Sequence, residues 1–226
     1  EVESLLVLKN NRGIDSNRVR HLDYGVQLGR LFYQRLIDKK SITLFSPSDV
    51  PGLYDAFFED QDEFDKSFDY EKIMSYNPKG VVLSSGPGDP QKCPDTITVA
   101  KKLIENNVPT LGICLGAQII GIAGNTDTYK LKYGHRGQNK PCVNLENNQV
   151  YVTSQNHGYG ITPESLAKSD FDLWFANADD KTVEGIKHKK QNCVAVQFHP
   201  ETAPSPNDCK FIFEKLQNLM ESEKNA

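Results

Sequence analysis

Between Thr110 and Ala123 a short apolar run ends in Gly112-Ile113-Cys114-Leu115-Gly116 and passes at once into a helix-length stretch. A glycine on each side of a cysteine, at the seam between strand and helix, leaves the backbone few alternatives. Without side chains at 112 and 116 the chain can turn sharply and pack the helix close behind the strand. This is the glycine-x-nucleophile-x-glycine elbow. It lifts Cys114 clear of the sheet and sets a helix N-terminus behind it, whose partial positive charge favours a thiolate. The plain alternative is a packing cysteine, since free cysteines are among the most buried residue types. The flanking glycines and the preceding strand favour the elbow.

The rest of the chain repeats the same rhythm. Strands are predicted at Ser4–Leu8, Ile42–Phe45, Gly80–Leu83 and Thr110–Ile113, with helices at Tyr24–Ile37, Ile97–Asn107 and Leu115–Ala123. Strand and helix in alternation imply an α/β fold, an open and mostly parallel sheet flanked by helices. From Thr128 to Val152 short extended runs separated by turn residues imply an added antiparallel hairpin region. Asp172–Phe175, Val183–Lys187 and Val194–Phe198 read as further strands, and Asn207 or Asp208 as the cap of a last helix through Met220. Residues 1–226 read as a single domain. The acidic, phenylalanine-bearing stretch 55–70 reads as an insertion, Asn10–Arg20 as a polar surface loop, and 221–226 as a fraying tail.

Bulk properties narrow the function. The 226 residues carry a formal net charge of -4, which gives no global attraction to nucleic acid or anionic membrane. No apolar run is long enough to span a bilayer, and the start has no leader pattern. The five cysteines are scattered, with no C-x-x-C pair, which fits free thiols and a cytoplasmic location better than disulfides or a zinc site. No metal site and no cofactor are expected.

Two further pieces carry chemistry. His199-Pro200-Glu201 follows an apolar strand, and on an extended segment residues two apart share a side, so Glu201 can fix the His199 ring while its other nitrogen faces a nucleophile. His21, His135, His157 and His188 show no such pairing in sequence. Ser85-Gly86-Pro87-Gly88 is a glycine turn at the carboxyl end of a strand, the edge where ligands sit in such sheets. Its N–H groups, with that of Leu115, are placed to hold an oxyanion. A nucleic-acid patch from Lys130, Lys132, His135, Arg136 and Lys140 is disfavoured by the acidic balance.

Together and in this order these pieces resemble the class I, or triad, glutamine amidotransferases, most of all the glutaminase part of glutamine-dependent carbamoyl phosphate synthetase. The matching stretches are Leu83–Pro90, Gly112–Gln118, Lys132–Asn139, Thr153–Tyr159 and Gln197–Glu201, within a resemblance running from Leu22 to Leu216. The Ser154-Gln155-Asn156-His157-Gly158-Tyr159 and Gln197–Glu201 forms are similar to the eukaryotic, pyrimidine-type branch. The resemblance implies hydrolysis of L-glutamine through a cysteine thioester, with ammonia passed to a carbamoyl phosphate synthetase partner or domain for pyrimidine or arginine biosynthesis. It implies Cys114 as nucleophile, His199 as base and acid, and Glu201 as its orienting partner. Gly88 and Leu115 would supply oxyanion N–H groups. Gly86, Gln118, Asn156, Gly158 and Tyr159 would hold the amino-acid end of glutamine. ATP and Mg are expected only in the synthetase, with no nucleic-acid or membrane partner.

The chain also departs from the family pattern. Ala117 stands where a histidine is usual, the Asp-x-Gly-x-Lys-x-Asn motif reads Asp23-Tyr24-Gly25-Val26-Gln27-Leu28-Gly29, and the acidic stretch near Asp55 is longer than expected. The family's small N-terminal domain, with a serine that contacts substrate, is not expected within these residues. Three alternatives stand beside the main reading: a silent or regulatory amidotransferase domain, a glutaminase of another branch, and a different cysteine hydrolase such as a γ-glutamyl hydrolase.

Overall fold

The computed structural model describes residues 5–8, 70–75, 78–202 and 208–222. The chain divides into two compact units, Glu1–Leu6 with Ile14–Lys79, and Val7–Gly13 with Gly80–Ala226. Of the first unit little is described beyond Leu5–Leu6, at the start of β1 (Leu5–Leu8), and α1 (Tyr70–Ser75). The predicted helix Tyr24–Ile37, the strand Ile42–Phe45, the loop Asn10–Arg20 and nearly all of the stretch 55–70 lie outside the described residues.

The second unit holds β2 (Gly80–Leu83), α2 (Pro94–Glu105), β3 (Thr110–Ile113), α3 (Leu115–Ala123), β4 (Thr128–Asn144) and β5 (Val150–Ile161). It continues through α4 (Pro163–Leu166), β6 (Phe171–Asn177), β7 (Val183–His188), β8 (Cys193–Val196) and α5 (Phe211–Ser222). The strand order runs β2-β3-β8-β7-β6-β4-β5, with Val7 and Leu8 at the edge beside β2. β2, β3 and β8 are parallel, and their register sets Leu83 against Gly112 and Ile113 against Val196. Their carboxyl ends therefore leave the sheet at one edge. From β8 onward the pairings are antiparallel, through β7 and β6 to the β4–β5 hairpin. The α/β architecture is the expected one, with the parallel strands on the side of the elbow and an antiparallel part that takes in β6 and β7 as well as the hairpin.

Sequence explains where these elements begin and end. All four residues of each of β2, β3 and β8 are buried, so these strands read as plain apolar runs. α2 starts at Pro94, three residues before the predicted Ile97, because proline is tolerated in a first turn where its missing N–H is not needed. α3 is apolar nearly all round and sits in the core, with only Ile122 of its nine residues not buried. The stretch predicted as an antiparallel hairpin region is one long hairpin, and register shifts between Lys130 and His135 and between Gly137 and Lys140 absorb its irregular glycines. Gly134 takes φ +68 there, with the carbonyl oxygen of His157 only 2.5 Å from where a Cβ would sit.

An aromatic cluster closes the far side of the sheet. Phe175, fully buried, meets Trp174 at 4.8 Å, Phe198 at 5.2 Å and Phe211 at 6.2 Å between ring centroids. Phe198 thereby anchors the segment just past β8, and the strand predicted to reach Phe198 ends at Val196. The last helix begins at Phe211 after a turn at Asp208–Lys210 and reaches Ser222, two residues beyond the expected Met220; Asn207 lies outside the described residues.

Candidate active site

Cys114 occupies the elbow between β3 and α3. It takes φ 54 and ψ -106, a conformation side-chain-bearing residues seldom adopt. Two constraints hold it there. Its N–H donates to the Val196 carbonyl at 2.9 Å, tying the end of β3 to the end of β8, and its own carbonyl accepts from Ala117 N and Gln118 N in the first helical turn. The glycines beside it are required by packing. A Cβ on Gly112 would lie 2.6 Å from Ile120 Cδ1 and 2.7 Å from the Gly116 carbonyl oxygen. On Gly116 it would lie 2.6 Å from the Leu83 carbonyl carbon and closer still to its oxygen. The elbow helix thus presses against the carboxyl end of β2, and the first N–H groups of α3, that of Leu115 included, have no intrahelical acceptor.

His199 stands past the end of β8, the strand next to β3. Its N–H donates to the Ser154 carbonyl at 2.9 Å, which fixes its backbone to β5. Its Nδ1 meets Glu201 Oε1 at 2.8 Å, leaving Nε2 for Cys114. The pairing expected from sequence is present, but the extended segment used to argue it is not: residues 200–201 form a turn, in which Thr202 N donates to the His199 carbonyl. Both side chains are buried. Burial alone would lower the His199 pKa, but the Cys114 side chain, which faces and hydrogen-bonds it, and the Glu201 carboxylate outweigh that and hold it well above the usual histidine value. Glu201 Oε2 has no hydrogen-bond partner among the described residues.

Gly86 and Gly88 lie in the loop leaving β2, on the same sheet edge as Cys114 and His199. Gly88 takes φ +100 with open space where a Cβ would project, so glycine is demanded there by the backbone rather than by crowding. Gln118 is buried one turn along α3 from the cysteine. Its Nε2 donates to the Tyr159 carbonyl at 2.9 Å and to Gln197 Oε1 at 3.0 Å. Its amide nitrogen is therefore engaged inside the protein, binding β5 and the segment after β8 to the elbow helix. Asn156, Gly158 and Tyr159 sit on β5; Asn156 is exposed and the other two are half-buried.

A cluster that sequence reading missed lies behind β5. His135 Nδ1 meets Glu184 Oε1 at 3.0 Å and its Nε2 meets Asp180 Oδ2 at 2.8 Å. These partners are 49 and 45 residues away in the chain, so no local pattern announces them. Only the antiparallel pairing of β4, β6 and β7 brings them together. The same contacts leave His135 buried between two carboxylates. All five cysteines are buried and no disulfide joins them among the described residues. No helix among those residues is long and apolar enough to cross a membrane.

Comparisons with known proteins identify the family. The family model for class-I glutamine amidotransferases matches residues 60–219. A second model, the barrel domain of ribonucleotide reductase, matches residues 1–82, ending close to the boundary between the two units. The carbamoyl phosphate synthase small chain of Pyrococcus furiosus is 44% identical over 207 residues, covering 92% of this chain and 50% of that one. That of Clostridium acetobutylicum is 47% identical over 151 residues, covering 67% and 43%. The chain thus spans about half the length of the curated relatives it matches. Among solved structures, a protein of Thermoplasma acidophilum described as a GMP synthase component superposes with a TM-score of 0.68 at 21% identity, covering 100% of this chain and 97% of that one, a likeness of fold. With the family model matching well over half of its length and the elbow, histidine and carboxylate assembled on one sheet edge, the chain belongs to the class I glutamine amidotransferases.

Proposed function

We propose that the second unit hydrolyses L-glutamine to glutamate and ammonia through a thioester on Cys114. The observation that carries this reading is the Cys114–His199–Glu201 constellation: a cysteine held at positive φ on a helix N-terminus, facing a histidine that a buried carboxylate grips at 2.8 Å. The Cys114 thiolate attacks the side-chain amide carbon of glutamine. The resulting oxyanion is held by the N–H groups of Gly88 and Leu115, each worth about 2.7–4 kcal/mol of barrier in sites of this kind. His199 gives its proton to the leaving nitrogen, and ammonia departs. His199 then takes a proton from water, which attacks the thioester and releases glutamate, restoring the thiolate–imidazolium pair. Gly86, Asn156, Gly158 and Tyr159 hold the amino-acid end of the substrate, and Gln118 shapes that subsite by fixing the Tyr159 carbonyl.

The ammonia goes to a carbamoyl phosphate synthetase, as a partner subunit or a fused domain, serving pyrimidine or arginine biosynthesis. The likeness to proteins named carbamoyl phosphate synthase small chain supports this. ATP and Mg belong to that synthetase; the amidotransferase unit works without a metal or cofactor. The scattered cysteines support a cytoplasmic setting.

The test is glutamate release from glutamine by the purified chain, with Cys114→Ser as control. Release that vanishes in the variant supports the reading. Release that persists places the nucleophile elsewhere. No release from either protein, with or without an added synthetase, favours a silent scaffold.

A further inference from the structure

We propose that His135, clamped between Glu184 and Asp180, is a positioning residue for glutamine binding, acting through β5 rather than by touching the substrate. This rests on the glutaminase reading of the site. Both ring nitrogens of His135 face carboxylate oxygens, at 3.0 Å and 2.8 Å. Ionised carboxylates only accept, so both contacts are hydrogen bonds when both nitrogens carry protons. The imidazolium is then the counter-charge for Glu184, whose side chain is fully buried. Asn177 Nδ2 and Thr182 Oγ1 also approach Glu184 Oε1, each at 3.3 Å, while Oε2 lies 3.9 Å from His157 Nε2 and has no hydrogen-bond partner among the described residues. Removing the cation from such a group costs far more than the pair contributes, because an uncompensated charge is left behind.

Two routes lead from this clamp to the substrate subsite. The first runs through β5. His135 is the cross-strand partner of His157, and their rings meet edge to face at 4.9 Å. The Nδ1 of His157 donates to the Tyr159 carbonyl at 2.8 Å, the same oxygen that Gln118 holds from the elbow helix at 2.9 Å. The second runs through Gln197, whose N–H donates to the Glu184 carbonyl at 2.8 Å and whose Oε1 accepts from Gln118 Nε2, the group that holds that same Tyr159 carbonyl. A carbonyl gripped from both sides fixes the backbone of Asn156–Tyr159, while the side chains of Cys114, His199 and Glu201 lie outside these two routes. Loosening the clamp should therefore weaken substrate holding and leave the chemical step alone.

The groups facing His135 are Glu184 on β7, Asp180 in the turn before it and His157 on β5. Tyr129 on β4 feels the same two carboxylates, and Arg136 is its neighbour in sequence. The two carboxylates raise the His135 pKa to about 9, against the opposing effect of burial. His157, buried and next to cations, is held down at about 4 and stays neutral.

The experiment is steady-state glutaminase kinetics on the intact chain and on two variants, His135→Asn and the charge-neutral pair His135→Asn with Glu184→Gln. The single variant should raise KM for glutamine at least tenfold and change kcat less than twofold. The double variant, having no stranded carboxylate, should bring KM back to within about threefold of the parent, as expected when both members of a buried pair are removed together. If the single variant does not fold, the parent protein carries the test. Its KM, corrected for ionisation of glutamine's own amino group, should then rise as the His135 imidazole, followed by NMR, titrates near 9. An unchanged KM in His135→Asn, an equal fall in kcat, or no recovery in the double variant overturns the proposal. So does a stoichiometric divalent ion in the purified protein that His135→Asn loses, since the cluster would then be a metal site. A parent chain without glutaminase activity refutes the functional reading itself, a result distinct from any of these.

Discussion

Adding one methyl group at Gly116 tests the elbow more sharply than removing the nucleophile, because the structure fixes how much must move. A Cβ at 116 would meet the Leu83 carbonyl carbon at 2.6 Å and Leu83 Cβ at 3.0 Å, and would come closer still to the Leu83 carbonyl oxygen. Two of these three atoms belong to the backbone of a buried strand, so no side-chain rotation relieves the clash. Either β2 or the start of α3 must shift by about 1 Å, and overpacking of this kind costs about 1–3 kcal/mol, here at the upper end. For a chain of this size that lowers Tm by roughly 6–12 °C. A displacement of about 1 Å at a catalytic group also costs on the order of 100-fold in rate. Gly158→Ala is the control for the strand beside it, where a Cβ meets only the far end of the Arg136 side chain, at 3.7 Å. Thermal unfolding and the alkylation rate of Cys114 would be measured for both. The Gly116 variant should lose stability and thiol reactivity together, and the Gly158 variant should keep its stability. A Gly116→Ala protein with parental Tm and parental alkylation rate would refute the close packing of α3 on β2 from which the elbow is argued.

Replacing Glu201 by Gln should lower kcat by about 10²–10⁴-fold, the range over which a general acid and base contributes. Because Glu201 helps hold the His199 pKa up, the alkaline limb of kcat/KM should also move to lower pH, and an unmoved limb would contradict its role. A glutamine-like electrophile should label Cys114 ahead of Cys93, Cys142, Cys193 and Cys209 in peptide mapping. All five thiols are buried, so preference would come from His199 and not from access, while burial pushes the Cys142 and Cys193 thiols further from ionisation. Even labelling would mean no activated thiol. Stability should also depend on pH through His135. Its pKa is raised in the folded protein from 6.5 to about 9, so its contribution is complete below about pH 6.5 and fades as pH rises to about 9. The urea midpoint should fall over that interval, and fall less in His135→Asn; equal falls would remove His135 as the source.

The elbow is legible in the sequence because its requirements are local. Glycines at 112 and 116, an apolar strand before them and an apolar helix after them all lie within one continuous stretch, and the structure gives a steric reason for each. The strands β2, β3 and β8 are equally plain, being short and buried on both faces. The sequence pairs His199 with Glu201 but for an incomplete reason, since the two are joined by a turn just past Phe198, whose aromatic partner Phe175 comes from another strand. The clamp around His135 is invisible for the same cause: its partners come from β7 and the turn before it, and only sheet order brings them near. No local pattern announces that the Gln118 amide nitrogen is engaged by Tyr159 and Gln197, which lie 41 and 79 residues away in the chain.

The proposed mechanism stands or falls on Cys114 carrying the γ-glutamyl group during turnover. Rapid acid quenching of the chain while it hydrolyses glutamine, followed by mass spectrometry of its peptides, looks for that group where it must be. A γ-glutamyl adduct is expected on the peptide containing Cys114 and absent from Cys114→Ser. Glutamate release with no adduct there, or with the adduct on another cysteine, would contradict the mechanism.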